Sequence, residues 1–176
     1  VSSNTGLKKV EIRLKWDPSP LKQPPHHLDI VAATYAADAP YGRPVYVVHY
    51  DSRSPDGTIN MSRHSTTGQG FGYVEAMTVE LDRLAPSFAR VVVGVVIHQN
   101  TGPKTFGDLT GTGVLVLDGY TELLKDDLTR LAGSCACVVA EFTKNPSGTW
   151  EFRPSLAGSD SEPAEFMREM GAAPQP

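Results

Sequence analysis

Along residues 10–16, apolar and charged side chains alternate without a break. Val10, Ile12, Leu14 and Trp16 fall on one register, and Glu11, Arg13 and Lys15 on the other. Successive side chains of an extended chain point to opposite faces, so this stretch reads as a strand with one face in a core and one in water. Met77, Val79 and Leu81 against Thr78, Glu80 and Asp82 repeat the pattern. Residues 91–97 are apolar on both registers, interrupted only by Gly94, and predict a central strand covered on both sides. Further strands are expected over residues 28–36, 44–50, 75–81, 89–98, 114–117, 135–143 and 149–153.

Turn chemistry separates these segments. In Ser54-Pro55-Asp56-Gly57 the proline fixes φ and the glycine supplies a positive φ. Asn145-Pro146-Ser147-Gly148 reads as a hairpin loop, and the proline-rich residues 18–25 as a loop outside any central strand. Helices are few. Residues 120–130 are a weak candidate. Residues 161–170 are a better one, with Ser161 as cap, Pro163 in the first turn, Phe166 and Met170 as the apolar stripe and Gly171 as the stop. The expected fold is mainly β, an antiparallel sandwich with a few short helices including one at the C-terminus. The chain of 176 residues fits one such domain over residues 1–171, with a loose tail over 172–176.

A net charge of −4, with no basic run, argues against a nucleic-acid surface. The polar residues 1–6 carry no secretory signature, and the longest apolar run, residues 89–97, is too short to span a bilayer. A cytoplasmic protein is expected. Cys135 and Cys137, at i and i+2, sit on one side of a strand and resist bridging. They read as reduced, buried strand residues.

The motifs of common catalysts are missing from the sequence. Gly68-Gln69-Gly70-Phe71-Gly72 spaces its glycines too closely for a phosphate loop, and no Gly-x-Ser-x-Gly elbow occurs. His26, His27, His49, His64 and His98 are scattered, with no His-x-x-x-His pair. The glycine-dense stretch between residues 67 and 72 lets the backbone approach something closely, and its carbonyls could serve a hard cation or merely form a turn.

Several short stretches, in order, resemble the TerD family of tellurium-resistance and stress proteins. They are Gly6-Leu7-Lys8-Lys9-Val10 leading to Leu14-Lys15-Trp16-Asp17, Leu28-Asp29, Ser54-Pro55-Asp56-Gly57, Thr67-Gly68-Gln69-Gly70, Val96-Ile97-His98, Thr105-Phe106-Gly107 and Gly148-Thr149-Trp150-Glu151-Phe152-Arg153. The resemblance implies a β-sandwich whose acidic loops bind calcium, no established catalysis, and a link to tellurite and other stress in bacteria. Against the family pattern, His27, His64, Phe71, Tyr73 and Val74 stand where carboxylates are usual, while Asp29 and Glu75 remain.

Calcium takes 6–8 oxygen ligands. The substitutions therefore predict a weakened or lost calcium site. The first functional reading is a non-catalytic stress-response scaffold that acts through other proteins, with neither nucleic acid nor membrane span. The second is a metal-binding variant that holds calcium weakly, or a transition metal, through His27, Asp29, His64 and Glu75. An enzyme using Cys135 or a histidine is a third. Exposed Phe71 and Tyr73 would favour the first reading as a binding patch.

Overall fold

Each alternating stretch becomes a strand in the computed structural model, which describes residues 6–172. In chain order the strands are β1 (Lys9–Lys15), β2 (Leu28–Ala36), β3 (Tyr46–Val48), β4 (Ile59–Arg63), β5 (Glu75–Glu80), β6 (Phe88–Ile97), β7 (Gly113–Asp118), β8 (Thr121–Asp126), β9 (Ala136–Lys144) and β10 (Trp150–Ser159), followed by helix α1 (Pro163–Glu169). They form two five-stranded sheets, ordered β4-β5-β1-β7-β8 and β10-β9-β6-β2-β3. All pairings are antiparallel. This is the sandwich that the alternation predicts.

The wet-face pattern of β1 is reproduced. Val10, Ile12, Leu14 and the following Trp16 are buried in the core between the sheets. Ile12 is flanked by Met77 of β5 and Val116 of β7. Strand β6 is central to its sheet and covered on both sides, as its composition requires. Val91, Val93, Val95 and Ile97 join the main core, while Val92 and Val96 pack with Phe166 and Met170 of the C-terminal helical segment. Gly94 makes that second layer fit. A Cβ there would lie 2.9 Å from the Phe166 ring and 2.7 Å from the Cys137 carbonyl oxygen.

Several expectations need correction. Residues 120–130 are not helical: they form β8 and a single 3-10 turn at Thr129–Leu131. Gly119, at φ +60, turns the chain back from β7. Leu123 and Leu124 then pack on the core, which outweighs the local helix preference. Strand β4 has too few apolar residues to stand out in the sequence; only Ile59 is buried. The strand expected over 44–50 contracts to Tyr46–Val48, and the one over 149–153 runs on to Ser159. Pro154 is tolerated there because β10 is an edge strand with a register shift between Pro154 and Ala157.

Helix α1 starts at Pro163, with Glu162 in the cap position, and Ser161 does not cap it. The Ser161 hydroxyl instead donates to Glu169, at 2.5 Å. Cys137 is buried in β9, whereas Cys135 precedes the strand and is half-buried; both thiols are free. The tail predicted over 172–176 lies, Ala172 excepted, outside the described residues. Among the described residues, no helix is long and apolar enough to cross a membrane.

Candidate metal centre

Strand β3 pairs with β2 only at Ala32, Ala33 and Thr34, so the first half of β2 has one open edge. An unpaired N–H on that edge needs an acceptor. Glu75, the first residue of β5 in the opposite sheet, supplies it: its Oε2 accepts from the Ile30 N–H at 2.8 Å. The carboxyl group of Glu75 is thereby carried beside Asp29, and both residues are buried.

Three imidazoles close around this pair. His27 precedes β2 and, two residues from Asp29, shares its side of the strand. Its Nε2 lies 3.1 Å from Asp29 Oδ2. His64 follows β4 and donates through Nε2 to Asp29 Oδ1 at 3.1 Å; the same nitrogen is 3.6 Å from Glu75 Oε1. His98 follows β6 and its Nε2 contacts Asp29 Oδ2. Register explains its arrival. Leu28 pairs with Ile97, and the His98 N–H donates to the His27 carbonyl, so the two histidines leave the sheet side by side. Their rings stack at 4.1 Å.

Tyr50 caps the trio. Its ring is parallel to His64 at 5.0 Å and lies 5.4 Å from His27 and 5.6 Å from His98. The glycine loop locks the other flank. Gly68, at φ +83, lies so close to Trp16 that a Cβ would come within 2.5 Å of its indole nitrogen. That indole donates to the His26 carbonyl at 2.8 Å, which fixes the approach to His27.

The two carboxyl groups are pushed apart in acidity. Burial raises Glu75, and the neighbouring charge and hydrogen bond of Asp29 raise it further, to about 10. Burial also works against the Asp29 charge. The contacts from His27 and His98 and the bond from Glu75 outweigh that effect and hold Asp29 at about 2. At neutral pH the centre therefore holds one carboxylate, Asp29, and one carboxylic acid, Glu75.

This donor set does not fit calcium, which needs many oxygens and uses nitrogen poorly. Phe71, at 98% exposure, points to solvent, Tyr73 sits under the Lys15 ammonium, and Val74 is buried in the core. None of them replaces the missing oxygens. The set does fit a borderline metal such as zinc. The metal-binding atoms of His27, Asp29 and His64 all lie within 4.8 Å of one another. The 3.1 Å separations are near the edge of about 3.3 Å that a tetrahedron with zinc-like bonds would have. In addition, His27 Nε2 is buried without a hydrogen-bond partner, although it faces a carboxylate.

The TerD domain profile matches residues 1–169. The chain belongs to the TerD domain family. It is similar to a solved homologue of the telluride resistance protein TerD from Streptomyces coelicolor A3(2), at 68% identity and a TM-score of 0.94, over 96% of this chain and 100% of that one. It is 25% identical to the tellurium resistance protein TerD of an Alcaligenes species over 152 residues, 84% of this chain and 79% of the relative. An uncharacterized protein of Bacillus subtilis (strain 168), YceE, is 27% identical over 177 residues, 96% of this chain and 91% of its own length.

On this TerD fold, all four residues expected as ligands, His27, Asp29, His64 and Glu75, do meet. His98 and Tyr50 are added by the structure. The one sequence signal for His98 is its place in Val96-Ile97-His98, a stretch that already resembles the family. Tyr50 carries no signal.

Proposed function

We propose that this TerD-family domain is a non-catalytic, stress-associated binding protein whose cation site is rebuilt for a transition metal. The observation that carries the reading is the convergence of His27, His64 and His98 Nε2 atoms on the buried carboxylate of Asp29. In this reading the imidazoles and Asp29 bind the ion, Glu75 positions Asp29 and His64, and Tyr50 shields one side from water. The names of the relatives, which speak of tellurium resistance, support a role in stress rather than metabolism.

The cysteines support the non-catalytic part. Burial raises the Cys135 thiol and drives Cys137 up to about 12, so neither is a ready nucleophile near neutrality.

The test is metal content of protein purified without added metal, followed by thermal melts with zinc or nickel. A stabilising ion raises the melting temperature by linkage. The rise should vanish in a His27→Ala, His64→Ala double variant. Equal responses in variant and parent would show that the histidines hold no metal.

A further inference from the structure

Beside the metal centre, between β3 and β4, lies a cleft of about 230 Å³. That volume suits a small ion better than an organic cofactor. Its polar walls are His49, Tyr50, Ser52, Arg53, Asn60 and His64; among the described residues no carboxylate lines it, and the acids that act on it are Asp51 in the same turn and Asp29 behind His64.

The Ser52 hydroxyl and one Asn60 amide proton are already donated to the Val47 and Gly57 carbonyls, at 2.8 and 2.9 Å, so the donors left to the cleft are those of Arg53 and His49 and the second amide proton of Asn60. Backbone bonds between His49 and Ser52, at 3.0 and 3.1 Å, pin the intervening turn. His49 Nδ1 accepts from the Asp51 N–H at 3.2 Å, which leaves the proton of the neutral ring on Nε2. Arg53 is exposed and has no ion-pair partner among the described residues. The acid of the adjoining turn, Asp56, is already occupied by Ser54, Thr58 and Tyr46. His64 belongs to both sites. When its Nε2 holds a metal, the proton of the neutral ring sits on Nδ1, so a residue that lines the cleft gains a donor nitrogen.

We propose that this cleft binds a small tetrahedral oxyanion of the phosphate or sulfate class, with Arg53 as its main cation, and that metal at the histidine centre tightens it through His64. The coupling half rests on the proposed function; the anion half does not. The coupling is electrostatic: a divalent ion adjoining the cleft raises the local positive potential, and the linkage is reciprocal.

The experiment is titration of the full chain with inorganic phosphate, followed by phosphorus NMR, in EDTA and again after loading with cobalt(II). The expected result is saturable binding in EDTA, tightened about fivefold or more by cobalt, with line broadening from the adjacent ion. Arg53→Ala should weaken phosphate about tenfold in both states while leaving the cobalt absorption spectrum unchanged. Phosphate affinity indifferent to Arg53→Ala, or no binding up to about 50 mM, overturns the anion site. Cobalt that loads at the histidines without changing phosphate affinity overturns the coupling alone. Cobalt that fails to load at the histidines overturns the proposed function, and the EDTA arm still decides the anion site.

Discussion

Replacing Glu75 by Gln tests whether a buried carboxylic acid is built into the centre. In the unfolded chain this group titrates near its ordinary 4.5, and in the fold it is held at about 10. Between those values the folded protein carries a proton that the unfolded chain lacks. The sign follows: stability from this group is complete below the lower value and is lost as pH rises toward the upper one. The slope is at most about 1.4 kcal/mol per pH unit. Asp29 has the opposite sign. With its acidity held at about 2 rather than 3.8, its contribution is present above 3.8 and constant through the neutral range. Glutamine keeps the acceptor for the Ile30 N–H and cannot ionise. Urea unfolding in EDTA from about pH 5 to about pH 8 should therefore show the parent losing on the order of 2–4 kcal/mol relative to Glu75→Gln. Parallel pH profiles for the two proteins would refute the buried acid.

Other consequences are open to direct test. Gly94→Ala should cost about 1–3 kcal/mol in chemical denaturation, because the added methyl meets the Phe166 ring and the Cys137 carbonyl. Phe166→Ala should cost about 3–5 kcal/mol, since that ring is buried between α1 and β6. Calcium titration by calorimetry should show no tight, stoichiometric binding; such binding would contradict the donor argument. Tyr50→Ala should weaken zinc binding about tenfold, as removal of outer-shell partners does, whereas Tyr50→Phe should keep it, because the cap works through its ring. Native-state maleimide labelling should be slow at Cys137, and rapid labelling would contradict its burial.

The fold was largely legible because its strands alternate. Val10–Ile12–Leu14 and Met77–Val79–Leu81 declare one wet face, and the valines of β6 declare none. Legibility failed where tertiary packing overrules local pattern. Residues in β8 carry Leu123-Leu124 with no alternation, and only the edge of β7 makes them a strand. Strand β4 offers a single buried side chain, too little for periodicity to register. The site was half legible. His27 and Asp29 are two residues apart and could be paired by strand geometry alone. His64 and Glu75 could be joined to them through the family resemblance. His98 is 69 residues from Asp29 and is brought there by the β2–β6 register, which no local pattern encodes. Tyr50 reaches the rings from a turn after β3 whose course depends on the His49–Ser52 bridge.

The most direct measurement of the central claim is anomalous X-ray diffraction from crystals soaked in zinc, collected on both sides of the zinc absorption edge. One peak is expected, enclosed by His27, His64, His98 and Asp29, with nitrogen distances of about 2.0–2.1 Å. A histidine centre without a peak, while zinc occupies other surface positions, would contradict it.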